Sequence, residues 1–115
     1  MTATPLLSLP KPLLDQLFPY RLILDSNFRV VDIGNGLAKI QPDFGVGDSL
    51  EKAFILERPN IRLDYDEFAQ NLNMLFAFEE NSHRYRLRGQ ILLSGDDRHI
   101  IFLCFPWIND LDVLW

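Results

Sequence analysis

Ile100-Ile101-Phe102-Leu103-Cys104-Phe105 is the stretch on which the fold turns. Successive side chains of a strand point to opposite faces, so Ile100, Phe102 and Cys104 fall on one side and Ile101, Leu103 and Phe105 on the other. A sheet with one wetted face would alternate apolar and polar residues here. This run is apolar on both sides, which predicts a strand covered on both faces. Burying one Leu or Phe is worth about 1.5–3 kcal/mol, so leaving several in water would be costly and aggregation-prone.

Upstream of it, Met74 to Glu79 and Tyr85 to Ser94 read as strands, and His99 to Phe105 completes a meander. The links Glu80-Asn81-Ser82 and Gly95-Asp96-Asp97 are polar and short enough for hairpins. Tyr20 to Asp25 and Phe28 to Ile33, rich in β-branched and aromatic residues, form an earlier hairpin about Ser26-Asn27. Between these groups the chain is less regular. Leu37, Ala38 and Ile40 predict a short helix that stops before Pro42. Asp48 or Ser49 caps a helix from Leu50 to Phe54, and Ile55-Leu56 is a brief extended segment. Asp64 or Asp66 caps a further helix, with Phe68, Leu72 and Ala69 facing inward.

At the N-terminal end, Pro12 suits the start of a helix carrying Leu13, Leu14, Leu17 and Phe18 on one face, and Pro19 stops it. At the other end, Asn109 or Asp110 caps a helix with Leu111, Val113 and Leu114, and the sequence stops at Trp115 within that pattern, as a piece of a longer protein would. The order is helix, two strands, short helices, three strands, helix. It predicts an α+β, PAS-like fold with a five-stranded antiparallel sheet and helices on one face. Residues 1–18 are expected to form an N-terminal cap and dimerisation helix, residues 19–108 the PAS-like domain, and residues 109–115 the start of a C-terminal signalling helix. A ferredoxin-like fold needs a different element order.

The 115 residues suit one domain, and 48% apolar content with nine Phe supplies a core. A net charge of −5 disfavours nucleic acid and anionic membranes as partners. The lone cysteine, Cys104, permits no internal disulfide and points to a reducing, cytoplasmic setting. No stretch approaches the length of a membrane span, and the N-terminus lacks the basic start of a leader peptide.

Catalytic patterns are missing from the sequence. His83 and His99 lie far from any metal-ligand spacing, and Cys104 sits in the most apolar strand with no basic neighbour to lower its pKa. Gly34-Asn35-Gly36 and Gly45-Val46-Gly47 lack the third glycine of a dinucleotide site and read as turns. Arg84, Arg86 and Arg88 share one face of a strand; they can meet an acidic partner or phosphate, but pairing with Glu79 and Glu80 across the hairpin is the expected role. Asp64, Asp66 and Glu67 beside Tyr65 form an acidic helix start of the kind a helix dipole favours. Phe44, Phe54, Phe68, Phe76 and Phe78 are expected to fill the core, so no cofactor and no metal is predicted.

Phe18-Pro19-Tyr20, Phe54-x-x-x-Arg58-Pro59, Leu87-Arg88-Gly89-Gln90 and Ile101-Phe102-Leu103-Cys104-Phe105-Pro106 followed by Asp110-Leu111 resemble, in order and spacing, the H-NOXA domain. That is the PAS-like segment associated with the haem nitric-oxide-binding domain in soluble guanylate cyclases and in bacterial, notably cyanobacterial, signal transduction histidine kinases. The likeness runs from about Phe18 to Asp112. Two departures tilt it toward the histidine kinase branch: Arg88 stands where the cyclase versions tend to have lysine, and Phe105 where they tend to have a small residue.

The resemblance implies a non-catalytic dimerisation and signal-relay role in a two-component kinase or a cyclase. Haem would be held by a separate domain in the same or a partner chain, and the partner would be a second copy or a paralogous domain. The expected interface, chosen for uncovered apolar surface, is Leu6, Leu9, Leu13, Leu14, Leu17, Phe18 and Tyr20 with Ile101, Leu103 and Phe105. A second reading is a small-molecule sensor with a ligand in the core near Phe54, Phe68 and Phe76.

Overall fold

The computed structural model describes residues 9–108. Helix α1 (Lys11–Leu17) leads into strands β1 (Arg21–Leu24) and β2 (Val30–Ile33), then helix α2 (Asn35–Ile40) and a single 3-10 turn, Leu50–Lys52. Strand β3 (Phe54–Arg58), helix α3 (Tyr65–Ala69) and strands β4 (Phe76–Glu80), β5 (Tyr85–Leu93) and β6 (Ile100–Ile108) follow. The strands form one antiparallel sheet in the order β2-β1-β6-β5-β4-β3. The fold is α+β and broadly PAS-like, with six strands where five were expected. The predicted C-terminal helix from Asn109 or Asp110 onward lies outside the described residues, as does Leu6.

The sixth strand comes from the segment read as a helix end and a brief extended piece. Asn81 prevents the helix from reaching Phe54. Its side-chain amide donates to the carbonyls of Glu51 and Lys52, and its backbone N–H donates to the carbonyl of Ala53. Those carbonyls would otherwise accept from the next helical turn. Phe54 is thereby released into β3, which pairs with β4 at the sheet edge through an irregular register between Leu56 and Arg58. The α3 helix is likewise shorter than predicted: Asp64 does cap it, accepting from the Glu67 N–H, but it ends at Ala69. Of the three residues expected to face inward, Phe68 reaches the core, whereas Leu72 and Ala69 are exposed.

The first hairpin turns on more residues than Ser26-Asn27. Asp25 Oδ1 accepts from the N–H groups of Asn27 and Arg29, and Phe28 adopts a left-handed φ of 63°. That conformation is unfavourable for a bulky side chain. Here it drives the Phe28 ring inward to meet Phe68 edge-on at 5.0 Å.

On the inner face, Leu37, Phe44, Leu50 and Phe68 from the helical side pack over Leu22, Leu24, Leu87, Ile91, Ile100, Phe102 and Cys104 of the sheet. Phe68 also contacts Phe76 at 4.8 Å, and Phe54 lies between Phe44 at 5.4 Å and Tyr85 at 6.1 Å. Of the rings named for a ligand pocket, Phe68 and Phe76 are therefore seated against each other, and Phe54 against Phe44 and Tyr85. Leu14, Ile23 and Ile101 are also buried but lie outside that cluster. Register explains the split: Leu22 faces Phe102 across β1–β6, and Ile23 faces Ile101. Ile100 to Phe102 thus bury both faces of the strand, as predicted, but the cover thins beyond them. Leu103 is half-buried and Phe105 is exposed.

Strand β6 continues through Pro106 to Ile108. Strand β1 pairs only with Ile100 to Leu103, so Pro106 occupies a stretch flanked by β5 alone, where a residue lacking an N–H is tolerated. Opposite Cys104, Gly89 lies against the β6 backbone. A Cβ at Gly89 would fall 2.0 Å from the Leu103 carbonyl oxygen and 2.6 Å from the Cys104 Cα, so only glycine fits there.

Candidate functional site

The outer face begins with α1, which the chain fixes by a buried ionic cluster. Arg21 is fully buried. Its Nη1 donates to Asp15 on α1 at 2.8 Å, and its Nε and Nη2 donate to the two carboxylate oxygens of Asp32 on β2. Asp15 Oδ1 also accepts from the Asn35 N–H at 3.2 Å and lies 3.4 Å from Lys11 Nζ. One guanidinium thus ties α1, β1 and β2 together, and α2 joins through Asn35. Burial alone would favour neutral Asp15; the Arg21 and Asn35 hydrogen bonds and the Lys11 charge outweigh it and hold its pKa below the ordinary carboxylate range. For Arg21, burial is likewise outweighed by its hydrogen bonds to Asp32 and Asp15, which raise its pKa.

A second buried carboxylate closes the β4–β5 hairpin. Glu80 accepts from the Arg84 backbone N–H and guanidinium, and these bonds overcome burial to lower its pKa. Both acids therefore contribute stability when ionised, present above their unfolded-state pKa and lost as pH falls through the folded one. The thermal midpoint should be flat near neutrality and fall steeply below about pH 4 in a melting series. An unchanged midpoint down to about pH 3 would contradict the ionic anchoring.

Beyond the Arg21 anchor, a groove of about 720 Å³ opens between the end of α1 and strands β5 and β6. It is lined by Leu17, Phe18, Pro19, Tyr20, Leu75, Arg88, Gly89, Gln90, Leu103, Phe105 and Trp107, with parts of Arg21 and Cys104. Leu17 is 55%, Leu75 52%, Phe105 69% and Trp107 56% exposed, so four large apolar side chains meet solvent on one patch. A patch of this kind marks an interaction surface more often than not. Tyr20 and Phe105 are 6.4 Å apart, and the Arg88 guanidinium lies over the Trp107 ring at 4.9 Å. The Cys104 thiol, buried, donates to the Tyr20 carbonyl at 2.9 Å, and burial pushes its pKa up, so it stays protonated and structural.

The residues expected at an interface divide along this surface. Leu17, Phe18, Tyr20, Leu103 and Phe105 line the groove. Leu13 is partly exposed and Leu9 half-buried. Leu14 and Ile101 were expected to lack cover, and that is corrected: both are buried inside the chain and offer no free surface. Three groove residues escaped the sequence reading. Trp107 lies beyond Pro106, and the predicted strand ends at Phe105, although the alternation Ile101, Leu103, Phe105 continues directly to it. Leu75 precedes β4, and Arg88 was assigned to a stripe of surface pairs.

That stripe breaks up. Arg84 pairs with Glu80, and Arg86 pairs with Glu57 on β3 at 2.7 Å and lies 4.0 Å from Glu79. Arg88 pairs with neither glutamate and lies on Trp107 instead. The acidic helix start also has a local role, since Asp64 caps α3 and Glu67 pairs with Arg62 at 2.9 Å. Among the described residues there is no group of three or more His, Cys, Asp or Glu side chains placed to hold a metal ion. Nor, among them, is any helix long and apolar enough to cross a membrane.

The described residues form a PAS-like domain, with α2 and α3 on the inner face of the sheet and α1 beside an open apolar groove on the outer one. Residues 7–86 match the sequence profile of the family described as Heme NO binding associated, and the chain belongs to that family. It is similar to soluble guanylate cyclase gcy-32 of Caenorhabditis elegans, with 21% identity over 84% of this chain and 19% of the relative. It is also similar to guanylate cyclase soluble subunit alpha-1 of Rattus norvegicus, with 25% identity over 92% of this chain and 17% of the relative. The soluble guanylate cyclase gcy-34 of Caenorhabditis elegans is 22% identical over 84% of this chain. The chain therefore spans less than a fifth of the length of these relatives.

Proposed function

We propose that this chain is a regulatory dimerisation and signal-relay domain of a larger cytoplasmic signalling protein, with the outer groove seating a second PAS-like domain. The observation that carries this reading is the patch of Leu17, Leu75, Phe105 and Trp107, four large apolar side chains that are each more than half exposed around one groove. The partner domain is a second copy or a paralogue. Haem resides on a separate domain, and a change in its state is relayed through β6 toward the chain's C-terminal end.

The output domain has two readings. The relatives' names favour a guanylate cyclase. Arg88 and Phe105 favour the histidine kinase branch, and their placement adds weight: they are direct cross-strand partners on the outer face. Both departures thus fall on the proposed contact surface, where a different partner would select different residues. We take the histidine kinase as the working assignment, and the catalytic domain encoded downstream decides it.

Association is tested by light scattering across a dilution series. The wild-type chain should be dimeric in the micromolar range, and Leu17→Asp with Phe105→Asp should weaken dimerisation at least about tenfold, as loss of central interface contacts does. A wild-type monomer throughout the series, or a double variant that dimerises as well as wild type, would refute the reading.

A further inference from the structure

A second cleft, of about 810 Å³, adjoins the apolar groove and shares Leu75 and Arg88 with it. Met74, Leu75, Pro59 and Ala77 give it an apolar lining, and Glu57, Arg58, Arg86 and Arg88 bring three guanidinium groups against one carboxylate. In a chain of net charge −5 this is a local inversion of sign. Glu57 is engaged by Arg86, and that hydrogen bond outweighs burial and keeps its pKa low. Arg58 and Arg88 are exposed, and among the described residues neither makes a direct ion pair. The Arg88 guanidinium carbon lies 4.9 Å from the Trp107 ring centroid, a contact that restricts the side chain and leaves its donors less entropy to lose on binding a carboxylate.

We propose that this cleft receives an acidic, amphipathic segment of a partner domain. Its carboxylates would meet Arg58 and Arg88, and an apolar side chain between them would lie on Met74 and Leu75. Guanidinium groups recognise carboxylates through paired hydrogen bonds, and Arg and Trp are the residues enriched where interface energy concentrates. A polyanionic nucleic acid fits less well, because its higher charge density meets stronger repulsion from Glu57 and the chain's net charge, and its backbone offers no apolar side chain to Met74 and Leu75. The inference does not rest on dimerisation and can stand if that reading falls.

The probe is a fluorescein-labelled peptide alternating Glu with Leu, titrated against the 115-residue chain by fluorescence anisotropy at low salt. Saturable binding that weakens with added salt is expected. Arg58→Glu and Arg88→Glu, each verified as folded by circular dichroism, should each weaken it about tenfold or more, the scale of a lost charge-assisted hydrogen bond. Lys39→Glu, an exposed charge on α2, should leave it unchanged.

Several results would overturn the proposal: no binding of the acidic peptide, equal or tighter binding of a Lys–Leu counterpart or a single-stranded oligonucleotide, or unchanged affinity in both arginine variants. Loss of peptide binding in the charge-neutral Leu17→Asn/Phe105→Asn as great as in Arg88→Glu would assign the peptide to the apolar groove and also overturn it. Peptide binding by a chain that light scattering shows to be monomeric would uphold this inference while removing the dimer reading.

Discussion

Arg21→Ala should lower folding stability by about 3 kcal/mol, read as a shift of the denaturation midpoint at neutral pH. The wild-type guanidinium is fully buried and answered on both sides, by Asp15 from α1 and Asp32 from β2. Removing it leaves two carboxylates facing each other across the space it filled. Breaking one side of a buried ion pair costs far more than the pair's net worth, because the remaining charge stays desolvated. Both carboxylates keep some contact with water, at 17% and 25% exposure, which places the expected loss at the lower end of the range for such deletions. The variant should also lose much of the acid sensitivity assigned to Asp15, since the hydrogen bond that depresses its pKa is gone. A stability loss under about 0.5 kcal/mol, the level of ordinary surface substitutions, would mean that α1 is held by other contacts.

Phe68→Ala should cost about 3–5 kcal/mol in the same measurement. Phe68 has no exposed surface and is the one fully buried residue of α3, with Tyr65 partly buried against the core beside it. Its ring touches Phe28 at 5.0 Å and Phe76 at 4.8 Å, so truncation removes contacts from both the β1–β2 loop and β4. A five-residue helix cannot hold itself together without such packing. The substitution also bears on the small-molecule alternative. If the inner face were a vacant ligand pocket, the ring would be dispensable, and a loss below about 1 kcal/mol would revive that reading.

Much of this architecture was legible in the sequence. The strands of the last third and the first hairpin follow from runs of β-branched and aromatic residues, and the doubly apolar Ile100 to Phe102 predicted cover on both faces. What escaped depended on contacts distant in the chain. Asn81 trims the helix at Leu50 from some thirty residues away, so β3 starts at Phe54 and runs past the brief extended Ile55-Leu56 that the local sequence announces. Arg21 reads as a polar residue in an otherwise apolar strand. Only the fold brings Asp15 and Asp32 to it from either side, and that anchor is what covers Leu14. Uncovered surface was judged residue by residue along α1 and β6, whereas cover is a property of the packed pair. Leu14 and Ile101 were therefore misjudged while Leu17 and Phe105 were not. Trp107 was within reach of the same alternation that identified Phe105, had Pro106 been read by its edge-like position.

The central claim, that the outer face is where this domain meets another, is tested most directly at Trp107. The chain has two tryptophans, so Trp115→Phe leaves Trp107 as the sole reporter. In that variant, acrylamide quenching measured against protein concentration should fall through the same range in which light scattering reports association, because the groove closes over the ring. Quenching that stays constant while the chain dimerises would place the contact elsewhere and contradict the account.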